Sequence, residues 1–412
     1  MGKHMQLRIE YLVSVVFQSL RIVLLLLFWG RQGIGIGIWS SSAEKLIIPA
    51  NFVFGDSLVD AGNNNFIATL SKANYAPNGI DFGMPTGRYT NGRTIVDIIG
   101  KLHTYIHTYI LAVKLFLSTH AFSILDTEMG LAAAGFTPPY LAPTTSGPVI
   151  LQGVNFASGA AGILNETGNL FGGRINFDAQ LDNFANTRED VIRSIGWRAT
   201  SKLLENAMFS VTIGSNDFIN NYFTPVVSAL ERNLVPPQLF VNAMISKFRT
   251  QLTRLYMMGG RKVIVANVGP VGCIPYQRDI NPGAGDACVA LPNNLAQLFN
   301  TQLRSLVTEL NSNLDGSIFV YADVYTIVHD IITNYTAYGF ENANSACCYV
   351  AGKYGGLIPC GPSSKVCPDR SKYVFWDPYH PTDAANTIIA SRLIDGDSRH
   401  IWPLNIRQLL SS

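Results

Sequence analysis

Five short apolar runs, rich in β-branched and aromatic residues, recur along the chain, separated by stretches of helical or irregular character. They are Ala50–Phe54, Val149–Phe156, Ala207–Ile213, Lys262–Asn267 and Ile318–Val324. Because strands that alternate with helices form a parallel sheet with helices on both faces, this order predicts an α/β fold. The chain has 412 residues, of which 48% are hydrophobic and 14% charged, so it can fill a large core.

Two of the intervening stretches have the periodicity of amphipathic helices. The apolar face of the first consists of Phe240, Met244, Phe248, Leu252 and Leu255. Gly259-Gly260 is expected to end this helix. The apolar face of the second consists of Leu295, Leu298, Phe299, Leu303, Leu306 and Leu310.

Residues 1–43 are predicted to be a secretory signal peptide. Lys3, His4 and Arg8 precede a compact apolar core, Ile22–Trp29, and the small residues 41–43 form a cleavage site of the expected kind. The alternative is an uncleaved membrane anchor, but the dense apolar run is too short to span a bilayer. Residues 44–412 are predicted to form a single domain.

Cysteine usage and sequons agree with export. An even number of cysteines in an exported protein predicts up to three disulfide bonds. The six cysteines are Cys273, Cys288, Cys347, Cys348, Cys360 and Cys367, and the two adjacent ones are not expected to pair together. Asn165 and Asn334 each begin an N-glycosylation sequon. We therefore expect a secreted, extracellular protein.

The stretch Lys101–Thr127 does not fit the alternating pattern. It contains the tandem histidines His103 and His107, an apolar run, and a third histidine, His120. The spacing of these histidines does not match a metal site, and a packed or lipid-facing helix is the simpler interpretation. No other His/Cys spacing indicates a metal, and a net charge of +2 gives no argument for a nucleic-acid partner.

Small and polar residues follow the first four predicted strands. These segments are Gly55-Asp56-Ser57, Ala157-Ser158-Gly159, Gly214-Ser215-Asn216-Asp217 and Asn267-Val268-Gly269-Pro270. In an open α/β sheet, ligands bind at the carboxyl ends of the strands. Glycines there let the backbone approach a ligand closely, and backbone N–H groups can hold an anion. The functional site is predicted at this edge, with Ser57 as the candidate nucleophile.

A serine hydroxyl needs a general base to act as a nucleophile. Four of the seven histidines lie in the predicted signal peptide or in the stretch 101–127, which leaves His329, His380 and His400. His329 lies in a predicted helix, and His400 lies beyond the last predicted helix. His380 lies in a proline-containing turn, and Asp377, three residues earlier, can orient its imidazole. Ser57, His380 and Asp377 are therefore the predicted catalytic residues.

Four motifs, in this order, give the chain a specific resemblance. They are Phe54-Gly55-Asp56-Ser57-Leu58, the segment Val154–Gly162, Ile213-Gly214-Ser215-Asn216-Asp217 and Asp377-Pro378-Tyr379-His380-Pro381. With them the chain resembles the plant GDSL-type esterases/lipases of the SGNH hydrolase superfamily. The resemblance extends from about Pro49 to the C-terminal helix, except for the stretch 101–127. In similar proteins the flanking segments are almost directly joined, so this insert is interpreted as a retained intron.

The resemblance implies a five-stranded parallel sheet in a flavodoxin-like three-layer α/β/α sandwich. It also implies an oxyanion hole formed by the Ser57 N–H, the Gly159 N–H and the side-chain amide of Asn216. The expected reaction is hydrolysis of a carboxylic ester, small or lipid, through an acyl-enzyme, with neither metal nor organic cofactor. Two alternatives remain: an acyltransferase of the same fold, and a catalytically silent secreted binding protein.

Overall fold

The computed structural model describes residues 50–100, 136–223 and 235–412. The predicted signal peptide, residues 1–43, and the insert, residues 101–127, lie outside the described residues. The same holds for the boundary at Glu44, so the predicted division of the chain stays a prediction.

A five-stranded, mostly parallel sheet forms the centre of the fold. In chain order the strands are β1 (Asn51–Gly55), β2 (Met208–Thr212), β3 (Lys262–Ala266), β4 (Ile318–Ala322), β5 (Asn342–Ala346), β6 (Cys348–Tyr349), β7 (Lys365–Val366), β8 (Tyr373–Phe375) and β9 (Ile401–Trp402). The main sheet has the order β1-β2-β3-β4-β9. Strands β1 to β4 are parallel, and β9 pairs antiparallel with β4. Two small two-stranded sheets, β5-β8 and β6-β7, lie outside it.

Helices connect the strands, as the alternation predicted. They are α1 (Phe177–Ile195), α2 (Trp197–Asn206), α3 (Pro237–Met257), α4 (Pro275–Ile280), α5 (Ala290–Asn313), α6 (Val324–Thr333), α7 (Asp383–Asp395) and α8 (Ile406–Ser411). Residues 95–100 are also helical. The predicted amphipathic helices correspond to α3 and α5, and most of their predicted apolar positions are buried. The α/β prediction is confirmed.

The sheet is buried on both faces. All five residues of β1 are buried, and β2, β3 and β4 each have four buried residues. Near-continuous burial of this kind is expected for parallel strands covered on both sides. Aromatic rings fill the core beside β1, where Phe52 and Phe54 contact Phe184 of α1 at centroid distances of 5.2 and 5.7 Å.

The predicted second strand, Val149–Phe156, does not form as expected. Its first half belongs to a 3-10 helix, Gly147–Gln152. Its second half is not a regular strand, although the N–H of Val53 donates to the carbonyl oxygen of Val154 and the N–H of Phe156 donates to that of Val53. Asn155 makes isolated parallel bridges to Val53 and to Pro139. Pro148 has no N–H to donate to a ladder. Gly153 has φ 110°, and a side chain there would collide with the backbone of Asn51. The fifth strand is instead the short antiparallel β9, so the sheet is not entirely parallel.

Candidate active site

Ser57 lies immediately beyond the carboxyl end of β1. The end of this strand is fixed by the buried Gln180 of α1, whose side chain bonds both backbone groups of Gly55: it accepts from the N–H at 2.9 Å and donates to the carbonyl oxygen at 2.8 Å. The N–H of Asp56 donates to the carbonyl oxygen of Thr212 at the end of β2. The nucleophile candidate is therefore attached to a rigid sheet edge.

A continuous chain of hydrogen bonds joins Ser57 to His380 and Asp377. His380 Nε2 lies 2.7 Å from Ser57 Oγ, and His380 Nδ1 lies 2.8 Å from both carboxylate oxygens of Asp377. Since Nδ1 faces a carboxylate, it carries the proton, and Nε2 is left to accept from the serine hydroxyl. The structure thus brings together the three residues predicted as catalytic, although 323 positions separate Ser57 from His380.

The turn that carries Asp377 and His380 is fixed by its own backbone. Asp377 Oδ1 accepts the N–H groups of Tyr379 and His380, each at 2.8 Å. The N–H of Trp376 donates to the carbonyl oxygen of His380 at 2.8 Å, and its indole N–H donates to Asn78 Oδ1 at 2.9 Å. Asp377, His380 and Trp376 are all buried. The imidazole is therefore oriented before any substrate arrives.

Asn216 lies on the helical turn Ser215–Asp217, just beyond β2. Its side-chain Nδ2 donates to the carbonyl oxygen of Ala161 at 2.9 Å, and its Oδ1 accepts from Asn220 Nδ2 at 2.6 Å. These contacts fix the amide orientation but use only one of the two Nδ2 hydrogens. The second hydrogen remains available to a ligand.

Gly159, the predicted oxyanion donor, is engaged elsewhere. Its N–H donates to Asp60 Oδ2 at 3.0 Å, and a side chain at this position would collide with the hydroxyl of Tyr89. The glycine is therefore required for space, and its N–H is already paired. The contact between the Gly159 N–H and an oxyanion stays a prediction, since without a ligand this N–H donates to Asp60.

Three buried aspartates, Asp56, Asp60 and Asp217, are next to or bonded to the predicted oxyanion donors. The sequence analysis assigned no role to them. Burial raises the pKa of Asp56 to about 7 and the pKa values of Asp60 and Asp217 to about 6, because desolvation disfavours the charged carboxylate. Asp217 accepts the N–H groups of Ile163 and Leu164 at 2.9 and 3.0 Å. Asp60 and Asp217 together hold the two ends of the segment 159–164.

A largely apolar cavity contains Ser57, His380 and Asn216 in its wall. Apolar and aromatic side chains that line the same cavity include Leu58, Leu70, Tyr75, Phe171, Ile219 and Val271. Within the described ranges, no group of three His, Cys, Asp or Glu side chains is arranged to hold a metal ion. The cavity combines a few polar groups with an apolar wall, which suits an ester with an apolar part.

The other candidate histidines and the two sequon residues are not among the residues that line this cavity. His329 is exposed on α6, and His400 is buried against Arg392. The sequon residues Asn165 and Asn334 are both exposed. The cysteines form three disulfide bonds, Cys273–Cys288, Cys347–Cys367 and Cys348–Cys360, as their even number predicted. In the part of the chain that the structure describes, no helix is long and apolar enough to cross a membrane.

A serine at the edge of a mostly parallel α/β sheet, hydrogen-bonded to a histidine–aspartate pair, is an arrangement typical of serine hydrolases. The sequence comparisons specify the family. The sequence model of the GDSL-like lipase/acylhydrolase family matches residues 52–393, and the chain belongs to this family.

Three relatives from Arabidopsis thaliana illustrate the similarity. GDSL esterase/lipase At4g16230 is 62% identical over 362 residues, which cover 88% of this chain and 91% of the relative. GDSL esterase/lipase At3g50400 is 46% identical, covering 94% of this chain and 97% of the relative. GDSL esterase/lipase 7 is 40% identical with the same coverage of both. The chain is therefore an ester-hydrolysing enzyme of the carboxylic ester hydrolase class.

Proposed function

We propose that the protein is a secreted serine esterase that cleaves carboxylic esters through an acyl-enzyme, with Ser57, His380 and Asp377 as its catalytic triad. The observation that carries the proposal is the unbroken hydrogen-bonded chain from Ser57 Oγ through His380 to Asp377, at 2.7 and 2.8 Å. This contact supplies what a serine needs to attack a carbonyl carbon, namely an oriented base within hydrogen-bond distance.

In the first step, Ser57 Oγ attacks the ester carbonyl while His380 Nε2 takes the hydroxyl proton. The imidazolium that forms is stabilised by the Asp377 carboxylate. Collapse of the tetrahedral intermediate breaks the bond to the alcohol oxygen, and His380 returns the proton to the leaving alcohol. Water then attacks the acyl-enzyme and loses a proton to His380. Collapse of the second tetrahedral intermediate breaks the bond to Ser57 Oγ, which takes that proton back as the carboxylic acid is released.

Negative charge develops on the carbonyl oxygen in both steps. The second Nδ2 hydrogen of Asn216 and the backbone N–H of Ser57 are proposed to donate to it. The Asn216 amide is held by Ala161 and Asn220 before substrate binds. A donor that is already oriented needs no reorganisation in the transition state, which is why such groups accelerate acyl transfer.

The proposal is tested by labelling the purified protein with a fluorophosphonate probe and by assaying a panel of esters of increasing acyl length. We expect labelling at Ser57, loss of labelling and turnover in Ser57→Ala, and measurable hydrolysis of at least one ester. A folded protein that neither reacts with the probe nor cleaves any ester would contradict the proposal, and it would favour the binding-protein alternative.

Adding excess acceptor alcohol to the ester assay distinguishes hydrolysis from acyl transfer. A hydrolase should release mainly the free acid, whereas predominant formation of the new ester would favour the acyltransferase. The same product analysis shows which acyl chain lengths the apolar cavity accepts.

Export is the second part of the proposal. It is supported by three disulfide bonds and by two exposed sequon asparagines, Asn165 and Asn334. N-terminal sequencing of the protein from the culture medium should find a start near Glu44, and glycosidase treatment should lower its apparent mass. Residues 1–43 still attached to the exported protein would contradict the signal-peptide assignment.

A further inference from the structure

The Cys273–Cys288 disulfide has a hydrogen-bond donor on each of its two sulfur atoms. Arg278 Nη2 donates to Cys288 Sγ at 3.4 Å, and Asn293 Nδ2 donates to Cys273 Sγ at 3.4 Å. The amide of Asn293 is held in this orientation, because its Oδ1 accepts the N–H of Gly272 at 2.7 Å. A neutral sulfur is a weak acceptor, whereas hydrogen bonds to an ionised group are about twice as strong. Both donors therefore favour the reduced state, in which the sulfurs can be thiolates.

Arg278 is a buried cation whose hydrogen-bond partners are uncharged in the described part of the chain. It is 3% exposed, and it donates to Cys288 Sγ and to the carbonyl oxygens of Cys273 and Asp286, the latter two at 2.8 and 2.6 Å. The carboxylate of Asp286 is bonded instead to Lys353 at 2.9 Å. Burial lowers the pKa of Arg278 below its ordinary value, because desolvation disfavours the charge. A thiolate on Cys288 would supply the anion that a buried cation needs.

The other two disulfides differ from this one in both exposure and contacts. Their four cysteines are buried in one cluster with Trp376. Among the described residues, the only side-chain donors to sulfur are Arg278 and Asn293. Cys288 is half-buried and lies in the wall of a cleft beside Tyr335 and Asn342. Its sulfur is therefore the one that a dissolved thiol reaches most readily.

We propose that the Cys273–Cys288 bond is a thiol–disulfide exchange site, at which an external dithiol reduces this bond before the other two. One thiolate of the dithiol attacks Cys288 Sγ, the disulfide breaks, and its electron pair leaves on Cys273 Sγ, to which Asn293 donates. The second sulfur of the dithiol loses its proton and attacks the mixed disulfide, which frees Cys288 as a thiolate beside Arg278.

The two electrons that reduce the protein disulfide come from the dithiol, which leaves as its own disulfide. Protons of the dithiol that Cys273 and Cys288 do not retain pass to water. In this exchange Arg278 and Asn293 are positioning residues that stabilise the two departing sulfurs. The inference does not depend on ester hydrolysis, so its outcome is separate from that of the proposed function.

The test exposes the full exported protein, without denaturant, to mixtures of reduced and oxidised dithiothreitol. Free thiols are then blocked with iodoacetamide and located by peptide mass spectrometry. We expect Cys273 and Cys288 to be half-reduced at a ratio of reduced to oxidised reagent at least about tenfold lower than the other two bonds require. Equal ratios for the three bonds, or earlier reduction of either of the others, would overturn the proposal.

Two variants test the donors in the same assay. Asn293→Asp keeps an oxygen for the Gly272 N–H but places a carboxylate beside Cys273 Sγ, so the ratio needed for half-reduction should rise about tenfold. Arg278→Gln should also raise it, because the cation is lost. The matched control is Lys353→Gln, which removes a neighbouring cation that does not contact sulfur and should raise the ratio less.

An unchanged ratio in Asn293→Asp, or an equal rise in Arg278→Gln and Lys353→Gln, would show that the two donors do not favour reduction. Should Arg278→Gln fail to fold, Asn293→Asp and the order of reduction in the wild type decide the question.

Discussion

The backbone N–H of Cys348 donates to the carbonyl oxygen of Trp376 at 2.6 Å, and Asp377 is the next residue. The N–H of Cys347 likewise donates to the carbonyl oxygen of Phe375 at 3.0 Å. Two disulfide-bonded cysteines are therefore hydrogen-bonded to the two residues that lead into the catalytic turn. The disulfide-bonded segment and the turn that orients His380 therefore belong to one local structure.

Removal of the Cys348–Cys360 disulfide should lower both stability and activity. The double substitution Cys348→Ala and Cys360→Ala opens a loop with a sequence separation of 12, which is expected to lower the free energy of unfolding by about 2–4 kcal/mol. Because the bond anchors Cys348 beside Trp376, kcat should fall as well. Denaturant unfolding and ester kinetics measure the two effects.

The matched control for that variant removes the Cys273–Cys288 bond, whose sequence separation of 15 is similar. It should cost comparable stability, but it should lower kcat less, because neither cysteine bonds to Phe375 or Trp376. Equal kcat losses in the two variants would show that the Cys348 contact has no special role at the site.

Asn216→Ala should lower kcat by about a hundredfold or more with little change in KM, because the amide bond to the oxyanion strengthens only as charge develops. The control is Asn221→Ala on the next helical turn, Phe218–Tyr222. The side chain of Asn221 donates to Thr167 Oγ1, whereas that of Asn216 bonds to Ala161 and Asn220, so kcat should change little. Comparable kcat values for Asn216→Ala and the wild type, with both folded, would remove Asn216 from the site.

Asp56 makes folding stability depend on pH. Burial raises the pKa of Asp56 from its ordinary value of 3.8 to about 7, and its Oδ2 is buried without a partner among the described residues. The Asp56 carboxyl therefore binds its proton more tightly in the folded state than in the unfolded state. Its contribution to the free energy of unfolding declines as pH rises from about 4 to about 7. Asparagine does not titrate, and its Oδ1 can still accept the Leu58 N–H that Asp56 accepts at 3.0 Å.

Asp56→Asn should accordingly gain stability over the wild type as pH rises, by as much as about 4 kcal/mol between pH 4 and pH 8. Denaturant unfolding of both proteins at several pH values gives this difference, in which the other titrating groups largely cancel. A difference that is constant across the range would show that Asp56 is not the titrating group.

Deletion of Lys101–Thr127 should give equal or better soluble yield and retained esterase activity. Described residues on both sides of the insert make hydrogen bonds or salt bridges with other described residues. Asp97 forms a buried salt bridge with Arg88 at 2.7 Å, and the N–H of Asn155 donates to the carbonyl oxygen of Pro138 at 2.8 Å. Soluble yield and ester turnover of the deletion variant provide the measurement.

A longer deletion, of residues 95–127, serves as the contrast. It removes Asp97 and leaves the guanidinium of Arg88 buried without its carboxylate, which typically costs about 3–5 kcal/mol. This variant should not fold. Failure of the shorter deletion to fold would mean that the insert belongs to the native structure.

Local patterns sufficed for the four parallel strands and for the histidine–aspartate pair. The strands appear as separate apolar runs, and Asp377 and His380 are close enough along the chain for one turn to join them. β9 has only two residues, too few for a periodic signal, and its pairing with β4 depends on the packing of the intervening chain. The apolar run 149–156 resembles a strand locally, but Pro148 suits the first turn of the 3-10 helix Gly147–Gln152, and only the residues after Gly153 bond to β1.

Two features of the site depend on contacts that are distant in sequence. Gln180 is a polar residue on the apolar face of α1, beside Phe177, Leu181 and Phe184. A glutamine at such a position indicates a buried hydrogen bond, so its role could have been predicted from the sequence. The hydrogen bond from the Gly159 N–H to Asp60 could not be predicted from a local pattern, because 99 positions separate Asp60 from Gly159. The resemblance identified the correct segment but not the paired state of each N–H.

Asp377 and His380 lie close to the C-terminus, whereas Ser57 follows the first strand. During synthesis on the ribosome, the nucleophile therefore emerges long before its base, and β9, which completes the sheet, emerges later still. Until His380 has been added, the nascent chain holds Ser57 without its proposed general base. On the proposed mechanism, the capacity to cleave esters therefore arises only after most of the polypeptide has been made.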